Sequence, residues 1–392
     1  MIKKIIKNIG NRSINCFRNN KKYISSSQNI LFYGLNIMNY NMFDPIRILL
    51  EEIICNNITF SLSDYNKNKE YYNSVGINSF NHIEPTVAFK KIWDIVFLSD
   101  YLHGYFRWDQ CFIQINHGVA GKKCHHRNLK GDLYSYDYRF HPTMPFYKYV
   151  FFYNSGDLKK ARNLNILANN IAGRVAGMPI LDKFIQNNNN YSISSLKIKN
   201  IPIEYQKKKI IMFAPTWGEN SSYQMMGARI LKVLSEKDAF IIIKPHPLCI
   251  TENIPGNNMN LEDFCKNLFK KGNYGIYTKS PYDLMLISDM LIADFSSIAL
   301  EYTILRKPIW LYLNKFTEDN VADIEQLNML KNASKCYSDT ELDYTHFLDY
   351  YKIDYKQIYA MNKISDRYFE NIGRATEIIV NDLINLSVVK IK

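Results

Sequence analysis

The sequence predicts an α/β protein with two domains, each built on a parallel sheet. Its 392 residues are too many for one ordinary hydrophobic core, and 47% of them are hydrophobic, which is enough to build two. Short apolar runs alternate with helical stretches along the chain, and this rhythm is typical of βαβ units. These observations favour two successive α/β domains of similar size.

The first predicted sheet takes its strands from apolar runs in the N-terminal half of the chain. The helix after the first strand is predicted to begin at Asp44-Pro45, an N-cap followed by a proline in the first turn. Residues 125–148, rich in His, Arg, Lys and Tyr, are predicted to form an irregular loop. The predicted strands are Asn29–Tyr33, Ile58–Leu62, Trp93–Leu98, Cys111–Ile115 and Lys148–Tyr153.

The second predicted sheet begins at Ile210–Phe213. Before it, an Asn-rich stretch at 186–200 holds few core-forming residues, which predicts a linker or loop. Its later strands are predicted at Phe240–Ile243, Tyr274–Tyr277, Met290–Ala293 and the run IWLYL after Pro308. The resulting organisation is a basic segment at 1–28, a first domain at 29–185, a linker at 186–208, a second domain at 209–340 and C-terminal helices at 341–392.

The stretch Ser288–Leu313 carries the clearest indication of a ligand site. A short buried strand leads to Asp294, and Ser296 and Ser297 follow as the N-cap region of a helix. The first N–H groups of a helix attract anions, because they lack helical partners and lie at the positive end of its dipole. Glu301, one turn further on, is placed to meet ribose hydroxyls. An ordinary capped helix is the alternative interpretation.

A second candidate stretch, AFIIIKPHP at 239–247, ends a buried strand in Lys244 and in His246 between two prolines. Open α/β folds bind ligands at the carboxyl edge of the sheet, where such strand ends meet. Thr216, after the strand at 210–213, would reach phosphates at the same edge. The alternatives are a structural histidine and an ordinary tight turn.

His117 is the candidate for proton transfer, since it follows the predicted strand Cys111–Ile115. An unperturbed histidine pKa lies near neutrality, which suits a general base that takes a proton from an acceptor hydroxyl. Gly118 beside it permits close backbone approach. Lys122 and Lys123, a few residues on, would neutralise phosphate charge. A purely structural histidine is again the alternative.

Several short motifs occur in a characteristic order. They are NHGVAGKK at 116–123, GMPILD at 177–182, APTW at 214–217, IKPHP at 243–247, SDMLIADFSS at 288–297 and RKPIWLY at 306–312. Together they resemble the CDP-glycerol glycerophosphotransferase family, which comprises teichoic-acid and capsule polymerases with a GT-B fold. Two motifs depart from the family pattern: Ile180-Leu181 stands where an Arg is usual, and Val119-Ala120 where a Thr-Pro pair is usual.

The resemblance implies two Rossmann-like domains with parallel sheets facing a central cleft, and a last helix that crosses back to the first domain. It implies transfer of glycerol phosphate or ribitol phosphate from a CDP-activated donor to a hydroxyl of a phosphopolymer or lipid-linked acceptor, with release of CMP. The implied catalytic residues are His117 and His246. The implied donor-binding residues are Lys244, Thr216, Asp294, Ser296, Ser297 and Glu301, and the implied acceptor-side residues are Gly118, Lys122 and Lys123.

Composition limits the partners and the compartment. A net charge of +12 predicts polyanionic partners, although no nucleic-acid-binding motif is present. Seven cysteines without a C-x-x-C pair favour a reducing cytosol and no disulfide framework. No cofactor is predicted, and Cys124-His125-His126 is only a weak metal candidate. Residues 1–22 are basic with interleaved isoleucines, which indicates either a helix on the anionic inner face of the membrane or a solvated terminus.

Two other functions remain compatible with the sequence. The first is a GT-B glycosyltransferase that uses a nucleotide sugar, because both reactions need the same diphosphate site. The second is a non-catalytic assembly factor on the same fold. The sequence leaves the donor, the acceptor and the oligomeric state open.

Overall fold

A computed structural model places most of the chain in two compact units. The first unit comprises Met1–His117, Cys124–Lys183 and Phe369–Lys392, and the second comprises Gly118–Lys123 and Phe184–Tyr368. His117 and residues 1–27, which include the predicted basic helix, lie outside the described residues. The structure describes residues 28–53, 57–78, 81–99, 106, 109–116, 118–127, 133–141, 143–167, 171–186, 190–246, 249, 253–254, 259–278, 280–338 and 351–389.

The first unit contains a six-stranded sheet in the order β2-β1-β3-β4-β7-β8, and every pairing is parallel. Its buried strand positions are mostly apolar, as expected for a sheet covered on both faces, and Ser61 and Gln114 are buried polar exceptions. The strands are β1 Asn29–Gly34, β2 Asn57–Leu62, β3 Ile95–Leu98, β4 Cys111–Ile115, β7 Tyr149–Phe152 and β8 Ala172–Val175. The helices before the second unit are α1 Ile37–Ile53, α2 Lys69–Ser74, α3 Pro85–Ala88, α4 Ser155–Asn163 and α5 Pro179–Gln186.

Helix α1 begins seven residues before the predicted cap at Asp44, so that prediction is wrong and Pro45 lies inside the helix. The backbone N–H groups of Leu35 and Asn36 donate to the Asn39 side chain at 2.8 and 3.0 Å, which organises an earlier start. Asp44 instead accepts from Arg47 Nη2 at 2.6 Å. Local side-chain bonds therefore moved the helix start upstream.

The predicted irregular loop at 125–148 is also partly wrong, because it contains the two-stranded sheet β5 Lys123–Arg127 and β6 Leu133–Asp137. Tyr134 and Tyr136 alternate with polar residues, which is the period of a strand. Two 3₁₀ turns follow, at Tyr138–Phe140 and Met144–Phe146.

The second unit contains another six-stranded parallel sheet, in the order β11-β10-β9-β12-β13-β14. Since all its strands run the same way, their carboxyl ends share one edge. The strands are β9 Lys209–Ala214, β10 Ala239–Ile243, β11 Tyr274–Ile276, β12 Met290–Asp294, β13 Ile309–Tyr312 and β14 Lys335–Tyr337. The helices are α6 Asn190–Asn200, α7 Ser222–Ser235, α8 Leu261–Leu268, α9 Tyr282–Ile287, α10 Ser297–Tyr302, α11 Lys315–Asp319, α12 Ile324–Asn332 and α13 Tyr355–Tyr368.

Helix α6 lies in the Asn-rich stretch predicted to be a linker or loop, and a 3₁₀ turn at Ile203–Tyr205 follows it. The helix packs against α9, so tertiary contact orders a sequence of weak helical preference. Its last residue, Asn200, donates from its side chain to Leu196 O at 2.8 Å.

The last helix, α14 Ala375–Asn385, belongs to the first unit and packs against α1. Its N-terminal N–H groups at Ala375 and Thr376 donate to the buried Asp182 carboxylate at 3.0 and 2.7 Å. Gly177 has a φ of +91°, and a Cβ there would collide with Glu370 O. The GMPILD motif therefore forms the surface against which the C-terminal segment packs.

Candidate active site

Polar side chains follow three neighbouring strands of the second sheet at their carboxyl ends. Strands β10, β9 and β12 are adjacent in that order. Lys244 and His246 follow β10, Thr216 follows β9, and Asp294 is the last residue of β12. The short segment 118–123 belongs to the same unit and contacts the same edge. The predicted residues of this unit thus come from one sheet edge, as parallel topology requires.

Asp294 organises the turn after β9. Its carboxylate, only 4% exposed, accepts from Thr216 N at 2.6 Å, from Ser222 N at 2.7 Å and from Ser222 Oγ at 3.0 Å. Burial raises the pKa of this carboxyl group, while the three donors and the nearby Lys122 charge favour its ionised form. Both oxygens are therefore engaged by the protein, and Asp294 holds the Thr216–Ser222 turn in place.

Lys244 is a buried ammonium with weak internal partners. Its side chain is 5% exposed, and among the described residues its Nζ has one hydrogen bond, a long contact of 3.4 Å to Pro245 O. Burial lowers the pKa of Lys244 to about 8. Lys307, the comparable lysine of this unit, donates to Leu286 O and Ser288 O at 2.7 Å each. A buried cation without close acceptors is costly unless a ligand anion meets it.

His246 lies in the field of two lysines. Burial, followed by Lys122 and Lys244, lowers the pKa of His246 to about 4. The imidazole is therefore neutral at pH 7 in the ligand-free protein. Its ring centroid lies 6.0 Å from that of Trp217, whose side chain is 56% exposed. Lys122 and Lys244 thus form a region of positive potential around a neutral imidazole, beside an exposed aromatic ring.

The segment 118–123 is fastened to the second unit by its backbone. Ser297 Oγ accepts from Val119 N and Ala120 N at 3.2 Å each. A Cβ on Gly118 would lie 3.1 Å from that same oxygen, so the glycine permits close approach. Lys122 Nζ donates to Thr216 Oγ1 at 3.1 Å. Lys123 instead turns away, and its Nζ donates to Asp319 O at 2.8 Å.

Gln326 is a residue of this region that the sequence analysis missed. Its side chain is fully buried; the Oε1 atom accepts from Gly121 N at 2.8 Å, and the Nε2 group donates to Val119 O at 3.0 Å. Ala322 N also donates to Gly121 O at 2.7 Å. The residue lies in α12, about two hundred positions further along the chain, and no local motif marks it.

The start of α10 is capped by a side chain of its own. Ser296 is the N-cap, with Oγ 3.4 Å from Ala299 N, and the same hydroxyl donates to Asp294 O at 3.2 Å. Glu301 is 2% exposed within this helix. The roles predicted for Ser296, Ser297 and Glu301 in donor binding therefore remain predictions.

The sequence profile of one family matches residues 56–319, about two thirds of the chain. That family is described as CDP-Glycerol:Poly(glycerophosphate) glycerophosphotransferase. The chain belongs to this family. Members of the glycerophosphotransferase family are transferases, and the family resemblance predicted from the motifs is confirmed.

Curated relatives carry related names. The chain is 29% identical over 142 residues to the teichoic acid glycerol-phosphate primase of Bacillus subtilis strain 168, covering 35% of this chain and 32% of that protein. It is 30% identical over 156 residues to the teichoic acid glycerol-phosphate transferase of Staphylococcus aureus, covering 36% of each. The match thus spans about a third of the length of these relatives.

Solved structures share the fold over nearly the whole chain. The wall teichoic acid polymerase TagF superposes with a TM-score of 0.66 at 17% identity, covering 98% of this chain and 96% of that one. A UDP-GlcNAc 2-epimerase from Neisseria meningitidis superposes with a TM-score of 0.54 at 12% identity, covering 91% and 100%. These likenesses confirm the predicted GT-B fold class.

The described ranges contain neither a metal-binding cluster nor a membrane-spanning helix. No group of three or more His, Cys, Asp or Glu residues there is arranged to hold a metal ion. No helix in the same ranges has the length and apolar character needed to span a bilayer.

Proposed function

We propose that this glycerophosphotransferase-family protein transfers an alditol phosphate from a CDP-activated donor to a hydroxyl of a teichoic-acid-type polymer. CDP-glycerol and CDP-ribitol are the proposed donors, since curated relatives are named for both alditols. The observation that carries the proposal is Lys244, a buried ammonium with one long contact among the described residues, beside His246 and Lys122. Such a cluster fits the diphosphate of a nucleotide donor.

In this proposal the diphosphate binds at the carboxyl edge of the second sheet. Lys244 and Lys122 neutralise its charge, and Thr216 donates a hydrogen bond from its hydroxyl. His246 is neutral before binding, and the approaching anion raises its pKa so that the ring takes up a proton. Ser296, Ser297 and Glu301 remain the proposed contacts to phosphate and ribose.

The proposed reaction is an attack of the acceptor hydroxyl on the β-phosphorus. A new P–O bond forms to the acceptor oxygen, the bond from the β-phosphorus to the bridging oxygen breaks, and CMP leaves with that oxygen. His117 is the proposed base that receives the hydroxyl proton, with Gly118 beside it. Fixed cations at Lys244 and Lys122 stabilise the charge that develops on the phosphoryl oxygens.

Asp294, Ser297 and Gln326 act as positioning residues in this scheme. Asp294 fixes the turn that presents Thr216, and the other two hold the backbone immediately after His117. A well-placed base and acceptor lower the barrier because the reacting groups need no further ordering.

The proposed location is the inner face of the cell membrane. The net charge of +12 and the basic segment at 1–22 would attract anionic lipid there. Sedimentation with vesicles of phosphatidylglycerol, compared with phosphatidylcholine, tests this association.

The function is tested by donor selection. Purified protein is incubated with CDP-glycerol, CDP-ribitol or a panel of UDP-sugars, each with and without a teichoic-acid acceptor, and nucleotide release is measured. Acceptor-dependent CMP from a CDP-alditol is the expected result. Release of UDP from a sugar donor would establish the glycosyltransferase alternative. Full polymer synthesis in cells carrying His117→Ala would favour the assembly factor.

A further inference from the structure

The second unit has a basic cavity at the edge of its sheet opposite to the candidate active site. The cavity, of about 710 Å³, is lined by the end of α12, by Ser334 and Lys335, by Tyr351 and by the first half of α13. Lys335 is the first residue of β14, so it lies at the amino edge of the parallel sheet. Lys244 and Asp294 lie at the carboxyl edge, and the cavity is therefore separate from the donor site.

Four lysines line this cavity, namely Lys335, Lys352, Lys356 and Lys363, against a single acidic residue, Asp354. The Asp354 carboxylate already accepts from Gln357 N at 2.8 Å, as the cap of α13. Among the ion pairs formed within the described residues, none involves these four lysines. Among the described residues, the cavity lining thus carries more positive than negative charge.

Aromatic rings hold two of these ammonium groups without cancelling their charge. Lys335 Nζ lies 4.2 Å from the ring centroid of Tyr351 and 5.3 Å from that of Trp310. Lys363 Nζ lies 4.7 Å from the ring of Tyr359. Cation–π contact orients an ammonium and leaves its N–H donors able to bind an anion. The ammonium groups of Lys335 and Lys363 are therefore held at defined positions in the cavity.

A buried hydroxyl gives an independent indication of a ligand. Ser334 lines the cavity at 9% exposure, and its Oγ has no hydrogen-bond partner among the described residues. Buried hydroxyls without partners are uncommon, because the lost hydration is not replaced. Asn332 adds a neutral amide to the same wall, whereas the Gln357 Oε1 atom already accepts from Asp354 N at 3.1 Å. Together these groups suit a ligand that bears both phosphate charges and hydroxyl groups.

We propose that this cavity binds the phosphodiester chain of the polymer, away from the end that reacts. The inference rests on the proposed function for the identity of that polymer. The volume falls within the ~300–1,000 Å³ of ordinary ligand sites, which is enough for a short stretch of chain. A flat membrane surface would meet the rim lysines but would not fill a concave site. Retention of the chain there would keep the growing polymer on the enzyme between transfers.

The test compares two triple variants with the same change in net charge. Lys352→Gln, Lys356→Gln and Lys363→Gln remove charge from the cavity. Lys232→Gln, Lys266→Gln and Lys270→Gln form the control, because those exposed lysines of the same unit lie outside the cavity lining. Full-length protein without CDP-glycerol is titrated with a synthetic glycerol phosphate oligomer by calorimetry, and circular dichroism confirms that each variant is folded.

The cavity variant is expected to bind the oligomer roughly tenfold more weakly than the control, as three exposed ion pairs of ordinary strength would predict. Added salt should weaken oligomer binding to the control more than to the cavity variant. Ser334→Ala should give a further loss of a few-fold. Equal affinity of the two triple variants would overturn the proposal.

Two further measurements separate the possible sources of phosphate and the two proposals. If the variants differ in binding to phosphatidylglycerol vesicles but not to the oligomer, the cavity is a membrane contact and the polymer proposal is wrong. With a short acceptor, both triple variants should release CMP from CDP-glycerol at the wild-type rate. A protein that releases no CMP from any CDP-alditol would disprove the proposed function, whatever the oligomer titration shows.

Discussion

Replacement of Asp294 by asparagine is expected to loosen the turn that carries Thr216 while preserving the shape of the side chain. The carboxylate accepts N–H bonds on both oxygens, from Thr216 N at 2.6 Å and from Ser222 N at 2.7 Å. Asparagine has only one acceptor oxygen, so one buried N–H group must face an amide N–H₂ group. An unsatisfied buried donor costs about 1–3 kcal/mol. We take about 2 kcal/mol as the expected loss in the free energy of unfolding.

For a unit of this size, that loss corresponds to a fall of about 4–8 °C in Tm. Thermal unfolding followed by circular dichroism measures the change, and CMP release from CDP-glycerol should fall with it because Thr216 loses its fixed position. Asp289→Asn is the matched control. It lies just before the amino end of the same strand, accepts from Ile210 N at 2.8 Å, and keeps an oxygen for that bond. Its other contact is an ion pair with the exposed Lys209 at 3.6 Å, and the loss of such a surface pair costs little. If Asp294→Asn unfolds at the wild-type temperature, the argument from the occupied carboxylate is wrong.

Three further predictions follow from groups described above. Lys244→Met should abolish donor binding yet be more stable than Lys307→Met by about 1–2 kcal/mol in urea unfolding. The reason is that Lys307→Met removes the lysine donor from Leu286 O and leaves Ser288 O the longer, 3.3 Å bond from the Tyr302 hydroxyl. Equal stabilities would contradict this. The pKa of His246 is lowered from 6.5 to about 4 in the folded protein. Between these two pH values the unfolded state therefore binds more protons than the folded state. Stability should therefore fall by roughly 2 kcal/mol from pH 6.5 to about pH 5, and His246→Gln should flatten that slope. Asp182→Ala should release the start of α14, which amide hydrogen exchange at 375–385 would show as faster exchange, at a cost of about 1–3 kcal/mol; unchanged protection would refute the role of Asp182.

The sheets were largely predictable because their strands are buried on both faces. Such strands appear in the sequence as mostly apolar runs. The predicted strand Cys111–Ile115 has the same first and last residues as β4. Helix limits were less predictable where local side-chain bonds or tertiary contacts decide them. Asn39 moved the start of α1 upstream of the cap predicted at Asp44, and packing against α9 formed a helix in the Asn-rich stretch.

The residues that follow the strands of the candidate site were predictable from the sequence, but the long-range hydrogen bonds of the site were not. Lys244, Thr216 and Asp294 follow apolar runs, and parallel strands bring such positions to one edge. The partners of Ser297 are different, because they lie about 180 positions earlier in the chain, at Val119 and Ala120. Gln326 makes its bonds across a similar separation. Long-range hydrogen bonds of this kind leave no mark in local sequence.

The segment 118–123 also decides where hybrid enzymes between relatives should be joined. In chain order it interrupts the first unit, but its backbone is bonded to Ser297 and Gln326 of the second. A chimaera that exchanges the second unit should carry these six residues with that unit, although they lie within the sequence of the first. Junctions chosen from the linear order alone would separate residues 118–123 from their hydrogen-bond partners, Ser297 and Gln326.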